Sequence, residues 1–392
     1  MYDFFEYSTD VLSNDPAVRL ERRFINYLIS FPFARSEFDG PDTKEDAKEA
    51  AIRKRKLEVE RLRQQERDRK KKSMQRYQDR VSFELHETIY ERITAALNDE
   101  EEVKARTIPM PENLPLLIDT INTRAASLAA IEELSNKMTW LHEGVLRVVN
   151  NPPFSTRRKA SEIKVESYRL AMGFVGTENM RTLVPAYALQ NWLPYSTRPF
   201  SMFRRKIWDH SLATANLAFV LAERRGLKQP DMAYTLGMFH ELGKIALMKL
   251  YLRIFDEVQQ KAVIATVNDS NAEKHNALRT LIPDEQFLRD LMLEQDKRAT
   301  QIVVAGWDLK RVPLSQHLLS FVEAKDYDDL SDYAQILAQA NAYSEFRMLK
   351  EIGMVEAEEA KHLFTRYKFD KTMLADLREV SLKNIRITVP ES

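Results

Sequence analysis

The chain has 392 residues, 44% hydrophobic and 30% charged, enough to bury one large core or two ordinary ones. Lys plus Arg and Asp plus Glu both number 59, so the chain as a whole has no electrostatic preference for nucleic acid or an anionic membrane. It has no cysteine, which excludes disulfides, thiol nucleophiles and Cys-ligated metal sites and fits a reducing, cytoplasmic setting.

The N-terminus, MYDFFEYSTDVLSNDP, lacks the basic and apolar regions of a signal peptide. No stretch approaches the roughly 18 consecutive apolar residues of a membrane span. Glycine is scarce, 9 in all, and no segment sustains period-2 alternation. Helical spacing dominates, which predicts an all-α protein: a multi-helix domain preceded by a long charged helix.

Residues 1–40 read as an aromatic-rich N-terminal helical segment. Phe4, Phe5 and Tyr7 come first; Asp15 as N-cap and Pro16 at the first helical position then open a helix. Val18, Leu20, Phe24, Ile25, Leu28 and Ile29 give it an apolar face, and Phe31-Pro32-Phe33 is expected to end it. The segment has too little apolar surface to fold alone, so it is expected to dock on the main body or on a second copy, which makes it a candidate for homo-oligomer formation.

Residues 41–105 read as one long charged helix. Residues 44–80 hold 15 Lys/Arg against 8 Asp/Glu, and nothing apolar stands between Arg63 and Ser73, so no coiled-coil seam is present there. From Met74 an apolar stripe returns through Tyr77, Val81, Leu85, Ile89, Ile93 and Leu97. The first half is therefore expected to be solvated and the second packed; about 50 helical residues would span roughly 75 Å. The basic run at 53–76 reads as a charged spacer or as a contact surface for nucleic acid, acidic protein or lipid, and no aromatic interleaving favours nucleic acid.

Pro109, Pro111 and Pro115 mark a boundary. Residues 106–385 then read as one helical domain centred on residues 207–251, where His210 and His240 sit on apolar helical stretches. Gly237 and Gly243 flank His240 at helical neighbour positions, each costing about 1 kcal/mol relative to Ala. Close approach of another helix, or room for a metal or ligand, would offset that.

The order Asn150-Asn151-Pro152-x-Phe154, Ala171-Met172-Gly173, Trp208-x-His210-Ser211, His240-Glu241-Leu242-Gly243-Lys244 and Trp307 resembles the HDOD family, divergent relatives of the HD phosphohydrolases, over about residues 108–380. The resemblance implies an all-helical bacterial signalling domain of HD-like fold, regulatory and non-catalytic, that binds a protein partner or small ligand. An HD phosphohydrolase holds divalent metal with a histidine, a His-Asp pair and a later Asp. His210 matches the first histidine and His240 the second, while Glu241 replaces the Asp and carries its carboxylate about 1.5 Å further out. Counting back from Trp307, Asp296 or Lys297 stands where the family pattern has a histidine, and the paired histidines downstream are absent. Asp296 completes a metal shell only if the fold delivers it.

Three readings of His210 and His240 stand open: buried structural histidines, a remnant metal site with Glu241, or a working hydrolase. Lys244 is either a snorkelling lysine or a phosphate contact. No cofactor is expected under the regulatory reading; manganese, magnesium or iron would serve the phosphohydrolase alternative. Trp208, Phe239 and Trp307 read as core. His86, His142, His275 and His362 have no partner pattern, and His317 stands alone.

Overall fold

The computed structural model describes residues 15–39, 58–123, 126–152, 154–157, 164–267, 272–305, 307, 309 and 313–388. Phe4, Phe5, Tyr7 and residues 53–57 of the basic run lie outside them. The described residues form helices and contain no strand.

Helix α1 (Pro16–Ile29) starts as its sequence dictates: the Asp15 carboxylate accepts from the Ala17 amide at 2.8 Å. Leu20, Phe24, Ile25, Leu28 and Ile29 form its buried face. The helix ends at Ile29, just before Phe31-Pro32-Phe33. Only Ser30 is extended, and α2 (Phe31–Asp39) follows at once, because proline is tolerated in a first helical turn.

Helix α3 (Glu58–Asn98) is 41 residues long, about 60 Å. Residues 69–76 are exposed, and Met74 remains 50% exposed, so burial starts one turn later than its first apolar residue suggests. Val81, Leu85, Ile89, Ile93 and Leu97 are all buried, at successive steps of four. After a single π-helical turn (Val103–Thr107) and the proline-rich segment come α4 (Leu114–Ile121), α5 (Leu128–Ser135) and α6 (Thr139–Asn150). Helix α7 (Tyr168–Trp192) is broken at Gly176, whose φ of 77° is open to glycine and strained for other residues.

The centre is built by α8 (Phe203–Arg224), α9 (Pro230–Phe239) and α10 (Leu242–Val267). The second histidine stretch is two helices, not one: the chain turns at His240-Glu241, and the Glu241 carbonyl accepts the first bond of α10 from Ile245. Helices α11 (Ala272–Thr280), α12 (Glu285–Ala305), α13 (Leu314–Glu323), α14 (Asp332–Glu351), α15 (Ala357–Arg366) and α16 (Lys371–Glu379) complete the body. One apolar core runs from Phe24 of α1 through Ile89 of α3 and Leu236 of α9 to Leu337 of α14.

Both glycines beside His240 serve close approach. A Cβ at Gly237 would collide with the Ala215 backbone of α8, and one at Gly243 with Asp296 and Thr300 of α12. Phe239 and Trp307 are core residues, whereas Trp208 is half-buried.

Candidate metal centre

The turn after α9 places His240 at that helix's C-cap. Its Nδ1 lies 2.8 Å from the Gly237 carbonyl oxygen, one of the carbonyls a helix end leaves without an internal partner. That contact assigns the ring proton to Nδ1 and leaves a lone pair on Nε2. Burial pushes the His240 pKa down to about 4, so the ring is neutral at pH 7.

Three further atoms converge on that lone pair. His210 Nε2 lies at 3.1 Å, Asn341 Oδ1 at 2.9 Å and Glu241 Oε1 at 3.5 Å. His210 Nε2 is in turn 3.0 Å from Asn341 Oδ1 and 3.4 Å from Glu241 Oε1, while its Nδ1 contacts the Ser344 hydroxyl at 3.0 Å. The Asn341 amide is oriented with Nδ2 donating to Glu345 Oε1 at 3.1 Å. His210, His240 and Glu241 are at most 4% exposed.

Four acceptor-type atoms face one another, and only His210 Nε2 is available to carry a hydrogen. One proton satisfies one of the remaining acceptors, and the others stay lone pair to lone pair in a site that is almost wholly buried. Such a surplus is what a cation relieves. The spacings agree: ligands bound at 2.0–2.2 Å at right or tetrahedral angles stand about 3.0–3.4 Å apart. His210, His240 and Glu241 are the one group of three or more ligating side chains with convergent donor atoms among the described residues. Glu241, one methylene longer than aspartate, reaches the centre because the turn brings its backbone close.

Asp296 does not complete this shell. Its Oδ2 lies 2.7 Å from Lys244 Nζ, and Lys244 also stands 2.7 Å from Glu241 Oε2. Asp296 belongs to a neighbouring ion cluster because α12 approaches α10 on the Lys244 side, against Gly243. The side chain that stands beside both histidines is Asn341 of α14. It is 101 residues from His240, and nothing in its local sequence marked it. Burial opposes the Lys244 charge, but the Asp296 and Glu241 carboxylates outweigh it and hold the ammonium well above its ordinary range. Burial also opposes ionisation of Glu241, yet Lys244 and the two rings hold its carboxyl well below its usual range. Asp296 is pushed up to about 6 by burial, against the pull of Lys244. Glu345 is held well above its ordinary range by burial, with Glu21 adding to the rise.

A cavity of about 220 Å³ lies against this cluster and reaches His240, Glu241 and Lys244. Helix α1 closes one side: Ala17, Val18 and Glu21 line the cavity, and the Phe24 ring sits 4.6 Å from the His210 ring. Arg23 pins α1 with two bonds to Glu359, at 2.7 and 2.9 Å, and a third to the Met354 carbonyl.

Residues 108–280 match the HDOD domain family. The chain carries an HDOD domain. Both histidines, Glu241 and Lys244 fall inside the matched HDOD segment; Asn341, Asp296 and α1 fall outside it. The HDOD-bearing chain is similar in structure to a protein of Shewanella amazonensis SB2B provisionally named a phosphohydrolase, at 18% identity over 72% of this chain and 94% of that one, TM-score 0.45. It is also similar to an HDOD domain protein of unknown function from Geobacter sulfurreducens, at 17% identity over 73% and 94% of the two chains, TM-score 0.43. A second Shewanella amazonensis SB2B protein, provisionally named a metal-dependent phosphohydrolase, matches at 14% identity over 75% and 99%, TM-score 0.40. No curated protein matches the sequence. No helix among the described residues is long and apolar enough to cross a membrane.

Proposed function

We propose that this HDOD protein is a regulatory module that acts by binding a partner, and that its histidine centre braces the fold rather than turning over a substrate. The observation that carries this reading is the cover over His210 together with the pairing of Lys244. His210 is wholly buried with Phe24 packed on its ring, and Lys244, the cation a phosphoryl group would seek, is already neutralised by two carboxylates. A divalent ion there would be held by His210, His240, Glu241 and Asn341 and would tie α8, the α9–α10 turn and α14 together. Of manganese, magnesium and iron, iron suits the two imidazoles, and manganese and magnesium suit the oxygen donors.

A second reading, a metal-dependent phosphohydrolase, is favoured by one observation: the cavity reaches His240 and Glu241. In that case the ion would polarise a phosphoryl oxygen and activate water. The experiment that separates the two is hydrolysis of a generic phosphomonoester and a phosphodiester with added manganese, run on the full chain and on His240→Ala. The regulatory reading expects no His240-dependent turnover. Manganese-dependent hydrolysis that disappears in His240→Ala overturns it.

A further inference from the structure

Beyond α16 the chain continues as a segment, residues 381–388, SLKNIRIT, which bends at Lys383-Asn384 and runs without helix from Ile385, against side chains of α7 and α8. Side chains of those helices hold it by its main chain. Asn216 Nδ2 donates to the carbonyls of Ser381 and Asn384, both at 3.0 Å. Thr182 Oγ1 donates to the Arg386 carbonyl at 2.7 Å. Asn179 pairs with Thr388 as one strand pairs with another: its Nδ2 donates to the Thr388 carbonyl and its Oδ1 accepts from the Thr388 amide, both at 2.7 Å. The carbonyls held at 386 and 388 are alternate ones, as along one edge of a strand, while those of 381 and 384 converge on one Asn216 amide across the bend. The three reading residues are at most 5% exposed, and Asn216 Oδ1 is buried without a partner.

The recognition of side chains is sparse by comparison. Leu382, Ile385 and Ile387 are half-buried against the core. Arg386 lies over the Phe219 ring at 3.9 Å and pairs with Glu223 at 3.6 Å. Asn179, Thr182, Asn216, Phe219 and Glu223 all belong to the matched HDOD segment, whereas the strap they hold lies outside it. The break in α7 at Gly176 comes immediately before the reading face; Asn179 also takes up the Val175 carbonyl there at 2.7 Å.

We propose that the α7–α8 face of the HDOD domain is a peptide-docking groove. It reads the backbone of an extended partner segment carrying an arginine between two aliphatic residues, and the chain's own residues 381–388 occupy it as a built-in competitor. Main-chain reading by side-chain amides and hydroxyls supplies affinity, as strand addition does at a sheet edge; the Phe219–Glu223 corner selects the arginine. The occupant is a partner protein's segment rather than a second copy, because α16 ends at Glu379 and the strap is already held at Ser381, which leaves little chain for exchange between copies. This rests on the reading of the chain as a partner-binding module, and its test is independent of the metal centre.

The test uses the full chain with Arg386→Glu and Thr388→Pro. The first change removes the Phe219 and Glu223 contacts; the second removes the amide that Asn179 accepts. A fluorescein-labelled peptide, SLKNIRIT, is titrated by anisotropy. The tail-weakened chain is expected to bind it saturably and at least ten-fold more tightly than the unmodified chain does. Adding Asn179→Ala, or N-methylating the peptide at its last residue, is expected to weaken binding at least ten-fold. Absence of saturable binding by a tail-weakened chain that melts like the unmodified one overturns the proposal, as does binding indifferent to Asn179→Ala. Hydrogen exchange on the unmodified chain gives a second measurement. Amides of 381–388 are expected to exchange by local opening while α7 and α8 stay protected; exchange only through global unfolding overturns the proposal. Concentration-dependent dimerisation that Arg386→Glu abolishes overturns the choice of partner.

Discussion

His86 and His210 are both completely buried, yet their surroundings treat the imidazole in opposite ways. Around His86 every proton has a place. Nδ1 lies 2.8 Å from the Ser82 carbonyl oxygen and donates to it; Nε2 accepts from the Tyr251 hydroxyl at 2.9 Å; that hydroxyl oxygen accepts the Asp284 amide at 2.6 Å. Phe287 and Phe255 close over the ring, with centroids at 4.7 and 5.8 Å. The His210 group has more acceptors than protons. A satisfied chain of hydrogen bonds needs nothing further, and His86 simply locks α3 to α10. A buried surplus of acceptors is costly as it stands and has the form of a cation site. The contrast distinguishes a structural histidine from a ligating one better than burial does, since burial is the same for both.

The largest effect expected from this contrast is on the structural side. His86→Ala leaves a cavity and strands the Tyr251 hydroxyl, and should cost about 2–4 kcal/mol in urea unfolding. A loss under 1 kcal/mol would remove the distinction. Next comes metal linkage. Manganese at a hundred times its dissociation constant should stabilise the chain by about 2.7 kcal/mol. His240→Ala should abolish that gain and leave no histidine-dependent metal in elemental analysis, whereas His86→Leu should keep it; an equal loss in both variants would show that the two sites do not differ. Asn341→Asp supplies the charge that the asparagine withholds and should tighten divalent binding about ten-fold, roughly 1.4 kcal/mol by calorimetry. Unchanged or weaker binding would exclude Asn341 Oδ1 as a ligand.

A smaller effect is on pH. Burial holds the His86 imidazole below its ordinary value. The unfolded ring takes up a proton as pH falls through about 6.5, the folded ring only at lower pH. Its contribution is therefore fully present above that point and is lost on acidification. The stability difference between wild type and His86→Leu should narrow from pH 7 to pH 5, and a constant difference would refute the assignment. The smallest effect is on α3. Lys70→Glu with Lys72→Glu alters only exposed side chains and should shift stability by about 0.5 kcal/mol or less.

The family resemblance paired His210 with His240, while periodicity and punctuation alone determined the helical class, the start of α1 at Asp15-Pro16, and the packed stripe of α3 from Val81 to Leu97. These last depend on local chemistry: an N-cap needs its oxygen two or three residues away, and a four-residue apolar repeat lies on one face of a helix. The glycines beside His240 signalled close approach in the same local way. Tertiary structure alone decided the rest, because it depends on atoms far apart in sequence. It delivered Asn341 rather than Asp296 to the histidines, turned Asp296 toward Lys244, laid Phe24 over His210, and set residues 381–388 against Asn179 and Asn216. It also broke the second histidine helix at His240-Glu241, where an apolar run gave no warning. Ligating and reading groups need a few convergent atoms, not a pattern, and convergence becomes visible only once the helices are packed.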